Sequence, residues 1–168
     1  MKMCLLNVRS VNNKVAKICD ILESHDLDIL FLTETWMLDG DTYLEGSLCP
    51  PAYNISRLPR PGGARGGGLA LIYKSEFQLS FTRVNQSASE CGLVKLFVGQ
   101  TVYPFVVMYR PPSYRYDNFM SDFKELLDSV VLLHAPVYFV GDFNFHVNDC
   151  SNAQGAEFCD VLDNYDFC

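Results

Sequence analysis

The chain has 168 residues, 49% hydrophobic and 20% charged, a balance that excludes a disordered chain or a solvent-spread helical array and suits one domain over 1–168 with a sizeable core. Its net charge of −7 argues against a surface that grips nucleic acid everywhere, but leaves room for a local basic patch. No apolar run reaches the length of a membrane span, and "MKMCLLN" is too short for a signal peptide, so no membrane partner is expected.

The first strand is expected at once, over Met3–Val8. Asn12 or Asn13 offers a cap for a helix to Ser24, with Val15, Ile18, Ile21 and Leu22 at helical spacing. A wholly apolar strand, Asp28–Thr33, follows and ends at Glu34. Strand, helix and strand in this order predict two parallel neighbours.

The glycine run "PGGARGGG" (61–68) precedes a strand, not a helix, and lacks a Gly-Lys-Ser/Thr ending. It therefore reads as a flexible surface loop and not as a nucleotide-binding turn. Arg57, Arg60, Arg65 and Lys74 lie in a stretch with no acid until Glu76, which is either a solvated loop or a DNA-facing patch. Strands over Leu69–Tyr73, Phe77–Val84, Leu93–Val98 and Val102–Tyr109 suggest an antiparallel run that Pro111-Pro112 ends. Asp117 can cap a helix to about His134, with Phe119, Phe123, Leu126, Leu127, Val130 and Val131 on its buried stripe. Pro136 stops it, a strand occupies 137–141, and a last helix runs from about Ala153 to Tyr165. Strands of both kinds with covering helices suggest stacked sheets in an α/β sandwich.

The polar residues cluster at strand ends. The apolar strands finish in Asn7, in Glu34, in Tyr109-Arg110, and in Asp142 and Asn144 of "VGDFNFHVND" (140–149). If the last strand stays extended, Asp142, Asn144 and His146 share one face, and Phe143 and Phe145 the other. Taken singly these are rim residues; together they outline an oxygen-rich site at the ends of strands, suited to Mg²⁺ more than to zinc. The seven cysteines are odd in number and contain no C-x-x-C pair. That usage fits reduced thiols in the nucleus or cytoplasm.

"LNVRSVNNKVAKICDILESHDLDILFLTETW", "GGGLALIY", "VVMYRPP" and "GDFNFHV" together resemble the endonuclease/exonuclease/phosphatase superfamily, and within it the apurinic-like endonuclease domain of non-LTR (LINE-type) retrotransposons. The resemblance implies a four-layered α/β sandwich with two facing mixed β-sheets, and Mg²⁺- or Mn²⁺-dependent cleavage of DNA phosphodiesters. It implies that Glu34 holds the metal and Asn7 orders it, and that Tyr109 contacts the scissile phosphate. It further implies that Asp142 positions and deprotonates the attacking water, assisted by Asn144. Arg110 and Arg65 are candidate substrate contacts beside these residues. The family pattern goes on to a late Asp and a Ser-Asp-His cluster. Their absence implies a C-terminally truncated domain lacking the last strands, with little nicking activity, and self-association through an exposed sheet edge. Of His25, His134 and His146, His146 is the one placed to substitute for the missing histidine. Two other readings stay open: an inactive remnant serving as a binding module, and a phosphatase-type member acting on a phospholipid or small phosphoester.

Overall fold

The computed structural model describes residues 1–63, 66–84, 89–133, 136–147 and 151–167. In chain order its elements are β1 (Met3–Asn7), α1 (Val15–Ser24), β2 (Ile29–Thr33), α2 (Thr42–Ser47), β3 (Tyr53–Leu58), β4 (Leu69–Lys74), β5 (Gln78–Arg83), β6 (Glu90–Val98), β7 (Thr101–Tyr109), α3 (Tyr116–Val131), β8 (Tyr138–Asp142) and α4 (Ala153–Asn164). They form two four-stranded sheets, ordered β1-β2-β4-β3 and β5-β6-β7-β8. Each sheet is mixed: β1 runs parallel to β2 and β7 parallel to β8, and the remaining pairs are antiparallel.

The layering follows from side-chain parity. Along the wholly buried β2, Ile29 and Phe31 enter the layer between the sheets with Leu69, Leu71, Val94, Leu96, Phe105 and Val107. Leu30 and Leu32 face the opposite way and meet Ile18 and Leu22 of α1. On the far side, Val106 and Met108 of β7 pack under Phe119, Phe123 and Leu127 of α3 and Phe158 and Val161 of α4. The order is helix, sheet, sheet, helix, as the resemblance implies. Each large apolar side chain buried this way contributes about 1.5–3 kcal/mol.

Several local details differ from expectation. Neither Asn12 nor Asn13 caps α1; the chain turns first, with Lys14 N–H on the Val11 carbonyl, and the helix starts at Val15. Asp117 sits inside the first turn of α3, where its charge suits the helix N-terminus, and does not cap it. That helix ends at Val131, and His134 lies outside the described residues. α4 is capped by Asn152, whose Oδ1 accepts from the N–H groups of Gln154 and Gly155. The antiparallel run is split: β4 pairs with β2 and β3, the chain then crosses to the other sheet, and only β5, β6 and β7 form a meander. Strand β3 and the short α2 carry no clear periodicity and were not expected.

The end of the glycine run, 66–68, is packed and not a flexible surface loop; Ala64 and Arg65 lie outside the described residues. Gly66, Gly67 and Gly68 have φ of 92°, 66° and 88°, and Gly67 and Gly68 are buried. A Cβ on Gly67 would collide with the Glu90 carboxylate and the Arg60 guanidinium, and one on Gly68 with Thr35 Oγ1. Glycine is required there both by conformation and by close approach. Cys4, Cys19, Cys49, Cys91 and Cys159 are free thiols, and burial pushes Cys91 up to about 12; Cys150 and Cys168 lie outside the described residues. Among the described residues no helix is long and apolar enough to cross a membrane.

Candidate active site

At one end of the inter-sheet layer the inward positions change from apolar to polar. Leu5, Phe31, Val107 and Val140 face inward, and two residues further along each strand come Asn7, Thr33, Tyr109 and Asp142. The strand register brings them into adjacent rungs, Asn7 opposite Thr33 in one sheet and Tyr109 opposite Asp142 in the other. Because β1 lies against β8, the two polar ends meet across the sandwich.

Asn7 joins them. Its Nδ2 donates to Glu34 Oε1 at 2.8 Å and to Asp142 Oδ2 at 2.6 Å. Two carboxylates sharing one donor nitrogen lie closer together than the span a single cation and its waters bridge, about 10 Å at most. Asn7 Oδ1 accepts from the N–H of Arg9 at 3.2 Å, which fixes the amide's orientation. The other Asp142 oxygen, Oδ1, accepts from the N–H of Asn144 at 3.1 Å. Asn144 Nδ2 in turn donates to the Arg110 carbonyl at 2.7 Å.

Glu34 is held by its backbone. Its carbonyl accepts from Ser10 N–H at 2.7 Å, while Thr35 and Trp36 donate to the Gly68 and Gly67 carbonyls at 3.2 and 2.8 Å. Glu34 and Asn144 have φ of 55° and 52°, a left-handed conformation uncommon for side-chain-bearing residues and concentrated at functional sites. Burial first, then the Glu34 charge, raise the pKa of the Tyr109 phenol. It therefore stays a neutral donor at any working pH.

The extended run does not continue past Asp142, where β8 ends. Phe143 and Phe145 do turn together into the α3–α4 core. His146 is exposed and lines a groove with Asp142, Asn144, Phe145, Asn152 and Gln154. Arg110 lies elsewhere: it is 6% exposed, its guanidinium donates to the carbonyls of Phe143, Asn144 and Tyr114, and it faces the rings of Phe119 and Phe145. Its Nη donors thus go to backbone carbonyls of the 143–144 turn and of Tyr114, and to no carboxylate among the described residues. Arg65 lies outside the described residues.

The other basic residues of 57–74 are committed as well. Arg57 pairs with Glu45 and donates to the Leu38 and Asp39 carbonyls. Lys74 pairs with Asp26 and Asp28 at 2.8 and 2.9 Å. Arg60 pairs with Glu90 at 2.6 Å. Glu90, 4% exposed and opposite Tyr109 in the ladder, also accepts from the Gly68 N–H. Glu90 and Arg60 were not among the residues expected at the site. The expected strand began at Leu93, three residues late. Extending the alternation Leu96, Val94, Gly92 back by one step would have put Glu90 on the inward face.

The candidate ligands are oxygens, those of the Glu34 and Asp142 carboxylates, with the buried Thr33 hydroxyl unpartnered in the same rung as Asn7. They fit a hard divalent cation held by one or two carboxylates with water and substrate oxygens. Among the described residues no three His, Cys, Asp or Glu side chains converge to enclose an ion.

Comparison with known proteins bears on this arrangement. The chain is 30% identical over 130 residues, 75% of its own length, to the RNA-directed DNA polymerase from the mobile element jockey of Drosophila melanogaster, and spans 14% of that relative. Among solved structures it resembles the endonuclease domain of TRAS1, a telomere-specific non-LTR retrotransposon, with a TM-score of 0.68 at 10% identity over 96% of this chain and 68% of that one. It also resembles a 3′ phosphatase from Neisseria bound to product DNA hairpin, with a TM-score of 0.70 at 19% identity over 97% of this chain and 70% of the other. At these identities the structures show a common fold. The family model for endonuclease/exonuclease/phosphatase proteins matches residues 4–149, and the chain belongs to that family.

Proposed function

We propose that the chain is a Mg²⁺- or Mn²⁺-dependent phosphodiester hydrolase that nicks DNA, the endonuclease part of a non-LTR retrotransposon protein. The observation that carries the reading is the single Asn7 nitrogen shared by Glu34 and Asp142. It joins the ends of strands in two different sheets. The likeness to the jockey protein supports the mobile-element assignment.

In this reading Glu34 holds the cation, with Asn7 setting the carboxylate's direction. The bound cation supplies charge neutralisation at the phosphate. Asp142, fixed at both oxygens by Asn7 and Asn144, accepts the proton of the water whose oxygen bonds to phosphorus as the ester oxygen leaves. Tyr109 donates a hydrogen bond as charge builds on the phosphoryl oxygens.

Two measurements test it. Mn²⁺ titration should show weak binding that Glu34→Gln removes and Tyr109→Phe retains; equal affinity in wild type and Glu34→Gln overturns the metal assignment. Relaxation of supercoiled plasmid should be slow and Mg²⁺-dependent, and Asp142→Ala should lower it a further ~10²–10³-fold. Nicking that survives Asp142→Ala undiminished sinks the catalytic assignment.

A further inference from the structure

Arg110 is a buried cation that no described carboxylate neutralises. At 6% exposure such a group is costly, and an apolar residue of similar size at a buried charged position is often neutral or stabilising. Burial lowers its pKa, and its Nε is enclosed with no hydrogen-bond partner. What the chain gains is where the other donors point. Nη1 reaches the carbonyls of Phe143 at 3.0 Å and Asn144 at 3.3 Å, and Nη2 that of Tyr114 at 2.6 Å. The backbone reciprocates: Arg110 N–H donates to the Asp142 carbonyl at 3.0 Å, and the Arg110 carbonyl accepts from Asn144 Nδ2 at 2.7 Å. The rings of Phe119 and Phe145, each with its centroid 5.8 Å from the guanidinium carbon, close the sides.

We propose that Arg110 is a positioning residue: its guanidinium clasps the 142–144 turn and so sets the direction of Asp142 and Asn144 in the hydrolytic site. The route runs through contacts already given. Arg110 holds both ends of Asn144, which sits at the uncommon φ of 52°. Asn144 N–H then holds Asp142 Oδ1, leaving Oδ2 to Asn7. Asp142 is the last residue of its strand, so beyond it no ladder hydrogen bond fixes the chain. A lysine has neither the planar fork nor the reach to serve three carbonyls at once. The consequence for rate rests on the hydrolase reading above; the consequence for the turn does not.

Hydrogen exchange and kinetics on Arg110→Met, Arg110→Lys and Arg110→Ala test the proposal. Arg110→Met should keep a melting temperature close to that of wild type, while amide protection over 142–145 falls at least ~10-fold and that of β6 and β7 holds. Its kcat for duplex nicking should fall about 10²-fold with KM little changed, the loss expected of a misdirected group. Arg110→Lys should restore neither. Guanidinium ion at low concentration should return part of both protection and rate to Arg110→Ala, and urea at the same concentration should not. Unchanged protection over 142–145 in Arg110→Met overturns the proposal. So does a loss of protection spread evenly over the whole chain, which would make Arg110 core packing only. If wild-type nicking does not exceed that of Asp142→Ala, the hydrolase reading fails, and exchange over 142–145 still decides the role of Arg110.

Discussion

Asn7 carries a disproportionate share of the site for a neutral residue. Its one amino group donates to two carboxylates that would otherwise face each other as bare like charges. Asn7→Ala should therefore lower the nicking rate by about 10²-fold, with little loss of melting temperature because the residue is only half-buried. A steady-state assay beside a thermal melt checks both, and an Asn7→Ala rate equal to wild type would remove Asn7 from the site. Gly67 is constrained as tightly. With φ of 66° and the Glu90 carboxylate where a Cβ would stand, Gly67→Ala should destabilise by roughly 1–3 kcal/mol in urea unfolding. The neighbouring Gly66, whose Cβ would come no closer than 3.5 Å to Arg60 Nη1, should tolerate alanine better.

Among the elements, β3 and β4 explain why charge counting misleads. Arg57 anchors β3 to the 38–39 turn and to Glu45 of α2, and Arg60 anchors the chain after β3 to Glu90 of β6. Neutralising Arg57 and Arg60 together should lower stability by a few kcal/mol, about 1–3 for each charged hydrogen-bonding group. The salt slope of DNA binding should change by less than the roughly two units that two lost phosphate contacts would give. A full two-unit change at unaltered stability would return the stretch to a DNA-facing role. At the other end of β4, Lys74 lies between Asp26 and Asp28. Hydrogen bonds from Lys74 hold both acids below the usual carboxylate range. A depressed folded pKa contributes stability above the unfolded value, near 3.9, that is lost as pH falls through the folded value. The advantage of wild type over Asp28→Asn in melting temperature should therefore hold near neutrality, begin to shrink below about pH 4 and vanish once the pH is below the depressed folded value. An advantage unchanged at low pH would show that Asp28 acts through packing.

At the scale of the molecule, the sandwich has its two sheets' free edges in matched pairs: β1 beside β8 on one side, β3 beside β5 on the other. Among the described residues β1 and β8 pair with no further strand, so each offers a row of unpaired backbone groups. Met3 on β1 and Tyr138 on β8 are 43% and 46% exposed, and neither strand carries a lysine or proline to deter pairing. The 168-residue chain is expected to self-associate with rising concentration, and Tyr138→Lys to shift it toward monomer in sedimentation velocity. A chain that stays monomeric in wild type would show that twist or loops already protect these edges. The same side of the sandwich holds the Asn7–Asp142 contact, so association and nicking should respond together to edge substitutions.

Much of the fold was legible because it rests on local periodicity. β1, α1, β2, α3, β8 and α4 follow from apolar spacing, and the parallel pairing of β1 with β2 follows from the helix between them. The polar strand ends Asn7, Glu34, Tyr109 and Asp142 were legible as a group for the same reason: a change from apolar to polar at the end of a buried strand needs no partner to be seen. Tertiary structure decided which of them meet, since β1 and β8 are brought together by the stacking of two sheets, and nothing in either strand specifies that contact. It also decided the fate of the cations. Arg57, Arg60 and Lys74 look alike in sequence as a basic stretch and Arg110 as a substrate contact at a strand end, and each bonds a carboxylate or a carbonyl distant in the chain. Glu90 stayed hidden because its strand begins where the periodic signal is weakest, at Cys91-Gly92, and its partners Arg60 and Gly68 reach it only once the two sheets face each other.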